Sequence, residues 1–212
     1  MEKYSVEQLP ELFEGAAAIF EEKKDELCAM DANMGDGDLG LTMNKGFAAL
    51  PDFIRQNTEA GDAGKTLMKA AMKMAALVPS TMGTLMSSGI MEGGKALKGC
   101  GEFGASELAA FLQAFADGIQ KRGKCQPGDG TILDAMAPAA EKAAAAAGTG
   151  ESLARVIAEA LEGAREGVEA TKDMIPKYGK AAVFSAKASG IADQGAMAAM
   201  YLLQGLKNSI CS

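Results

Sequence analysis

Residues 31–40 read Asp-Ala-Asn-Met-Gly-Asp-Gly-Asp-Leu-Gly. Three carboxylates, Asp31, Asp36 and Asp38, fall within a short span, and Gly35 and Gly37 alternate with the last two. Crowded carboxylates repel one another unless a cation lies among them. Hard divalent cations take oxygen ligands, and magnesium is typically held by one or two carboxylates together with substrate phosphates. Glycines let the backbone turn sharply and present its N–H groups. A loop of this kind opening a helix suits a metal–phosphate complex. The same residue types also build solvated turns and N-caps, so local composition leaves both readings open. An EF-hand is excluded: twelfth from Asp31 is Thr42 and twelfth from Asp36 is Phe47, where that loop needs a bidentate Glu.

Three further loops are rich in small, polar or charged residues. Pro79-Ser-Thr-Met-Gly-Thr precedes apolar residues at helical spacing, so its first N–H groups can cap on a hydroxyl or face a phosphate. It is no P-loop, because no Gly-Lys-Ser/Thr follows. Gly123 to Asp134 contains the turn signal Pro127-Gly-Asp-Gly, with Thr131 as a candidate cap. Asp129 and Asp134 there serve equally well as capping and packing groups. Residues 176–195 carry Lys180 and Lys187 beside a helix start, which fits a phosphate-facing lid or a plain solvated loop.

The elements that must position these loops are helical. The chain has 212 residues, enough for a full core, and is expected to form one domain over residues 1–212. It is 48% hydrophobic but only 5% aromatic, with Ala and Met at many apolar positions. Scarce β-branched and aromatic residues favour an all-α fold. Eight helical stretches are expected. The first runs from about Ser5 to Met30, started by a Ser5-x-x-Gln8 capping box. The second covers Gly40 to Leu50 and stops before Pro51. The third starts at the candidate cap Asp62 and stops before Pro79, and the fourth runs from near Gly83 to Lys98. The remaining four cover Ser106 to Arg122, Thr131 to Ala147, Glu151 to Met174 and Gly195 to Lys207. Methionines such as Met68, Met72 and Met86 read as core filling.

Net charge is −7, which argues against nucleic acid and anionic membranes as partners. The sequence has no histidine, removing the commonest general base and the commonest zinc ligand. Cys28, Cys100, Cys125 and Cys211 are widely spaced, which disfavours zinc and iron–sulfur sites and fits a reduced, cytoplasmic setting. The N-terminus lacks a signal pattern, and no apolar run is long enough to span a membrane.

In this order the motifs resemble those of the L subunit of the dihydroxyacetone kinase family, over nearly the full length. The resemblance rests on Asp31-x-x-x-Gly35-Asp36-Gly37-Asp38-x-Gly40, on Met82-Gly83-Thr84-Leu85, and on Arg122-Gly123-Lys124 followed by Pro127-Gly128-Asp129 and Thr131. It ends in Gly190-x-x-Asp193-x-Gly195-Ala196. It implies an eight-helix antiparallel barrel with ADP or ATP at one end. It makes Asp31, Asp36 and Asp38 the ligands of two Mg2+ ions that bridge the phosphates. It sets Leu39, Gly40, Leu41 and Thr42 under the phosphates, with Thr81, Met82 and Gly83 in the phosphate loop. Gly123 and Ile132 match positions near the adenine; Lys180, Asp193, Gln194 and Gly195 match a closing loop, with Lys180 in the catalytic role.

The sequence departs from the family pattern at several points. Leu39 stands where the family often has His, Lys180 where it often has Arg, and Gln194 where it often has Pro. Pro79-Ser-Thr-Met-Gly replaces the common Gly-Gly-x-Ser-Gly. No magnesium ligand is lost, and the chain reads as a divergent member. The resemblance implies phosphoryl transfer to dihydroxyacetone or another small ketose or polyol. That acceptor would be held through a histidine on a separate K subunit, which a His-free chain cannot replace. The phosphoryl donor is ATP in one branch of the family and a phosphotransferase-system protein acting on bound ADP in the other. A non-catalytic regulatory or interaction protein of the same fold, and a barrel that merely binds a divalent ion, are the rival readings.

Overall fold

The computed structural model describes residues 3–184 and 189–212. Nine α-helices lie among them: α1 (Leu9–Glu22), α2 (Lys24–Met34), α3 (Leu39–Gln56), α4 (Ala63–Leu77), α5 (Thr81–Ala96), α6 (Ala105–Gly123), α7 (Leu133–Gly148), α8 (Leu153–Thr171) and α9 (Gln194–Ile210). Eight form a closed ring in the order α1, α3, α4, α5, α6, α7, α8, α9, with α9 returning to α1. Helix α2 is the ninth and leans on α3 at one end of the ring. The eight-helix barrel expected from the sequence is therefore present, and it carries one additional helix.

Ring neighbours run antiparallel. Along α1 and α9, Tyr4 reaches Ser209 O and Tyr201 reaches Glu26. This seam closes the barrel through glycine. A Cβ on Gly15 would lie 2.1 Å from Gly205 O, and one on Gly205 would lie 2.5 Å from Ala16 Cα. Only a residue without a side chain permits two helices to come so close. Apolar stripes fill the interior. Phe20 of α1 stacks on Phe47 of α3 at 4.5 Å. Phe13 and Phe111, from helices that are not ring neighbours, meet at 6.4 Å across the barrel, so the interior is packed.

Local boundaries follow sequence signals in some places and tertiary contacts in others. Asp62 caps α4, accepting from Lys65 N at 2.8 Å. Helix α4 ends at Leu77, before Pro79. The expected first helix is divided. Residues Val6–Gln8 form a 3-10 turn, with Gln8 Oε1 accepting from Ser5 N at 3.1 Å, and the helix breaks at Lys23. No Pro or Gly marks that break. The Lys23 ammonium lies 5.8 Å from the Tyr201 ring, and Tyr201 donates to Glu26 beyond the break. Helix α2 then turns Leu27, Asp31 and Met34 inward.

Helix α3 does not stop before Pro51. It continues to Gln56, because the added turn buries Ile54 and pairs Arg55 with Glu14 and Asp52. Those gains offset the N–H that proline lacks. A two-stranded antiparallel sheet, β1 (Tyr4–Ser5) with β2 (Glu102–Phe103), closes the barrel at the end away from α2 and was not anticipated.

Candidate functional site

Alternation of direction brings the N-termini of α3, α5, α7 and α9 to one mouth. Their first residues or caps, including Leu39, Thr81, Ile132 and Gln194, line a cleft of about 440 Å³. Each helix start carries a partial positive charge and unpaired N–H groups. Four of them together form a field suited to anions.

Into that field the loop between α2 and α3 brings its carboxylates. One oxygen from each of Asp31, Asp36 and Asp38 lies within 4.8 Å of the others. Asp31, buried on the last turn of α2, is the anchor. Its Oδ2 accepts from Asp38 N at 3.0 Å and Leu39 N at 3.3 Å, and its Oδ1 accepts from Gln194 Nε2 at 2.6 Å. A Cβ on Gly35 would sit 2.1 Å from that same Oδ1, so glycine is required beside it. Asp36 and Asp38 are exposed. Desolvation and the charges of Asp36 and Asp31 raise the pKa of Asp38. Its hydrogen bond to Lys180 lowers that of Asp36. The Lys180–Asp36 ion pair also raises the lysine pKa. Three mutually repelling oxygens with one ammonium at their edge are a donor set that a hard divalent cation fits.

The other walls are built by capping. Ser80 Oγ accepts from Gly83 N at 3.0 Å at the start of α5. Asp193 caps α9 through Ala196 N at 2.8 Å, and burial pushes its pKa up to about 6. Asp134 accepts from Gly128 N at 2.5 Å and Thr131 N at 2.7 Å, folding the loop before α7. Asp129 accepts from Gln126 N and pairs with Lys177 at 2.7 Å. Both aspartates are buried and structural. Lys177 and Tyr178, whose hydroxyl donates to Lys124 O at 2.7 Å, tie the stretch that follows α8 to the loop before α7.

Most of the residues singled out in the sequence converge here. Asp31, Asp36, Asp38, Leu39, Thr42, Thr81, Met82, Ile132, Lys180, Asp193, Gln194 and Gly195 all line the cleft. Gly123 lines an adjoining hollow of about 470 Å³ that shares Thr81, Leu85 and Ile132 with it. Three do not line either. Gly40 packs against Lys24 O, Gly83 packs against Val78 O, and Leu41 points outward. Lys187 lies outside the described residues. Tyr178, Leu85 and Thr131 were not assigned to the site from sequence, yet they line it. Leu85 and Thr131 stand in the motifs that carry the resemblance, and Tyr178 is an aromatic residue directly before Gly179-Lys180.

The family model of the DAK2 domain matches residues 33–208. The chain is similar to the ADP-binding subunit DhaL of the PEP-dependent dihydroxyacetone kinase of Escherichia coli, at 27% identity over 188 residues and 89% of each chain. It is 31% identical over 185 residues to the D-erythrulose kinase of Mycolicibacterium smegmatis, covering 87% of this chain and 32% of that one. It therefore spans about a third of that relative's length. Among solved structures, the native dihydroxyacetone kinase of C. freundii superposes with a TM-score of 0.68 at 20% identity, over 96% of this chain and 34% of that chain. The same kinase in complex with AMP-PNP and Mg2+ gives a TM-score of 0.67 at 21% identity, over 94% and 33%. These two likenesses concern the fold.

Proposed function

The chain belongs to the DAK2 domain family, and from that premise we propose that it is the magnesium–nucleotide-binding subunit of a dihydroxyacetone-type kinase. The observation that carries the reading is the meeting of three carboxylate oxygens within 4.8 Å at the convergence of four helix N-termini. A relative named for ADP binding and a fold neighbour solved with AMP-PNP and Mg2+ support it.

In this reading Asp31, Asp36 and Asp38 hold two Mg2+ ions. Magnesium, when bound, neutralises charge on the nucleotide phosphates. The chain's own groups do the rest. The first turns of α3 and α5, at Leu39 to Thr42 and Thr81 to Gly83, lie under the phosphates; Leu39, Thr42 and Gly83 give their N–H groups to Asp31, Asp38 O and Ser80, which leaves those of Thr81 and Met82 for the phosphates. Ile132 and Gly123 border the hollow that takes the base. Lys180, now paired with Asp36, is a cation at the edge of the carboxylates, placed to stabilise charge on a transferring phosphoryl group. Phosphoryl transfer asks for little beyond this positioning and charge balance.

A second subunit supplies the acceptor, dihydroxyacetone or a related small ketose or polyol. Six large apolar side chains are well exposed among the described residues; Tyr178 lines the cleft, Leu41 lies on the first turn of α3, and Ile175, Val183 and Ile191 lie in the stretches flanking Lys180. Exposed apolar groups gathered around a polar cleft mark an interaction surface. A partner seated there would close the cleft and exclude water. The phosphoryl donor is ATP that exchanges at each turnover, or a phosphotransferase-system protein that rephosphorylates bound ADP. The four cysteines are unpaired, which fits a cytoplasmic setting.

The test is to mix the purified chain with magnesium–ATP and dihydroxyacetone or erythrulose, with and without a K-type subunit. The isolated chain should give no phosphorylated product, and the pair should turn over. Robust phosphorylation by the chain alone would contradict the two-subunit reading. Nucleotide binding without turnover beside any K-type subunit would point to a regulatory protein.

A further inference from the structure

Asp31 offers about four acceptor sites on its two oxygens. Oδ2 spends two on Asp38 N and Leu39 N, and Oδ1 spends one on Gln194 Nε2. The site left for a cation is therefore on Oδ1, the oxygen that Gln194 holds. The amide orientation is fixed, because a carboxylate only accepts and must face the NH2 end. That sends Gln194 Oε1 the other way, out of contact with solvent and with no donor among the described residues. Gln194 is itself firmly placed. It is the first residue of α9, Asp193 N donates to Thr171 Oγ1 at 2.9 Å, and Gly190 N donates to Lys172 O at 2.9 Å. The side chain thus links the closing segment to the end of α2, across 163 positions of sequence.

We infer that Gln194 is a positioning residue for the cation cluster, aiming Asp31 Oδ1 at the metal and coupling metal binding to the seating of the 189–195 turn. This rests on the reading of Asp31, Asp36 and Asp38 as metal ligands. Loss of a group that orients a metal ligand typically costs 10–100-fold in metal affinity.

The experiment follows binding of a fluorescent ADP analogue while Mg2+ is titrated, and reads the metal concentration at half-maximal binding. Gln194→Met keeps the length and loses both polar ends. Gln194→Leu is a shorter apolar change that also removes the donor. Both should raise the midpoint about 10–100-fold, while the melting temperature without metal falls by only about 2–4 °C, as loss of one hydrogen bond implies. An unmoved midpoint in both variants, with Asp36→Asn still abolishing the metal response, overturns the role of Gln194 and leaves the site reading standing. A metal response absent from wild type overturns both.

Discussion

The two ends of the barrel use the same residue types to opposite effect. At the closed end, α4 and α8 are capped by Asp62 and Ser152, and Glu107 Oε2 accepts from Gly104 N before α6. Lys3 pairs with Glu102 across the small sheet, and Phe103, Phe111, Phe13 and Phe115 fill the space beneath it. Three helix starts there thus draw a cap or capping-box bond from within the chain. At the mouth, α3 begins at Asp38, whose side chain makes no cap hydrogen bond, and its first N–H groups turn to Asp31. Three carboxylates crowd together and apolar side chains face water. The difference teaches that the closed end is organised for stability, while the mouth holds repulsion and exposure that only a ligand or partner relieves.

The strongest way to sharpen this contrast is Phe111→Ala at the closed end. Its ring contacts Phe13, Phe103 and Phe115, and its loss should cost about 3–5 kcal/mol in denaturant unfolding. Nucleotide affinity of the folded fraction should stay unchanged. A large change in affinity with little change in stability would dissolve the division between the ends.

A smaller effect concerns Asp193 at the mouth. Its folded pKa of about 6 lies above the ordinary carboxylate range, so the fold favours the protonated form. Stability from this group is fully present below that ordinary range and is lost as pH rises through about 6. Asp193→Asn keeps a capping oxygen and should flatten that decline, by on the order of 1 kcal/mol after solvent screening. Melting curves of both proteins between the two pH limits check it. An unchanged pH slope would show that Asp193 does not carry the decline.

The smallest effect is on Asp38. Desolvation and the neighbouring carboxylates raise its pKa, so its ionised form burdens the free protein at neutral pH. Asp38→Ala should leave stability without ligand within about 0.5 kcal/mol of wild type, or slightly higher. A clear loss would make Asp38 a structural residue.

Much of this was legible in the sequence. The acidic loop, the cap at Asp62 and the stop before Pro79 are local signals, written in consecutive residues. The all-α fold followed from composition and periodicity. What the sequence hid was long-range. The break at Lys23 depends on Tyr201, the run of α3 through Pro51 depends on α1, and the Asp31–Gln194 and Asp129–Lys177 pairs join residues far apart. Leu41 was misplaced for a related reason. It belongs to the right turn of α3, but helical rotation points it outward while Leu39 and Thr42 face the cleft.

In the proposed function the three carboxylates make nucleotide binding depend on a divalent cation. Calorimetry of ADP binding with and without Mg2+, on wild type and Asp36→Asn, tests it most directly. Mg2+ should raise ADP affinity steeply in wild type, and Asp36→Asn should erase the gain while its metal-free affinity holds. Equal ADP affinity with and without Mg2+ in wild type would contradict the account.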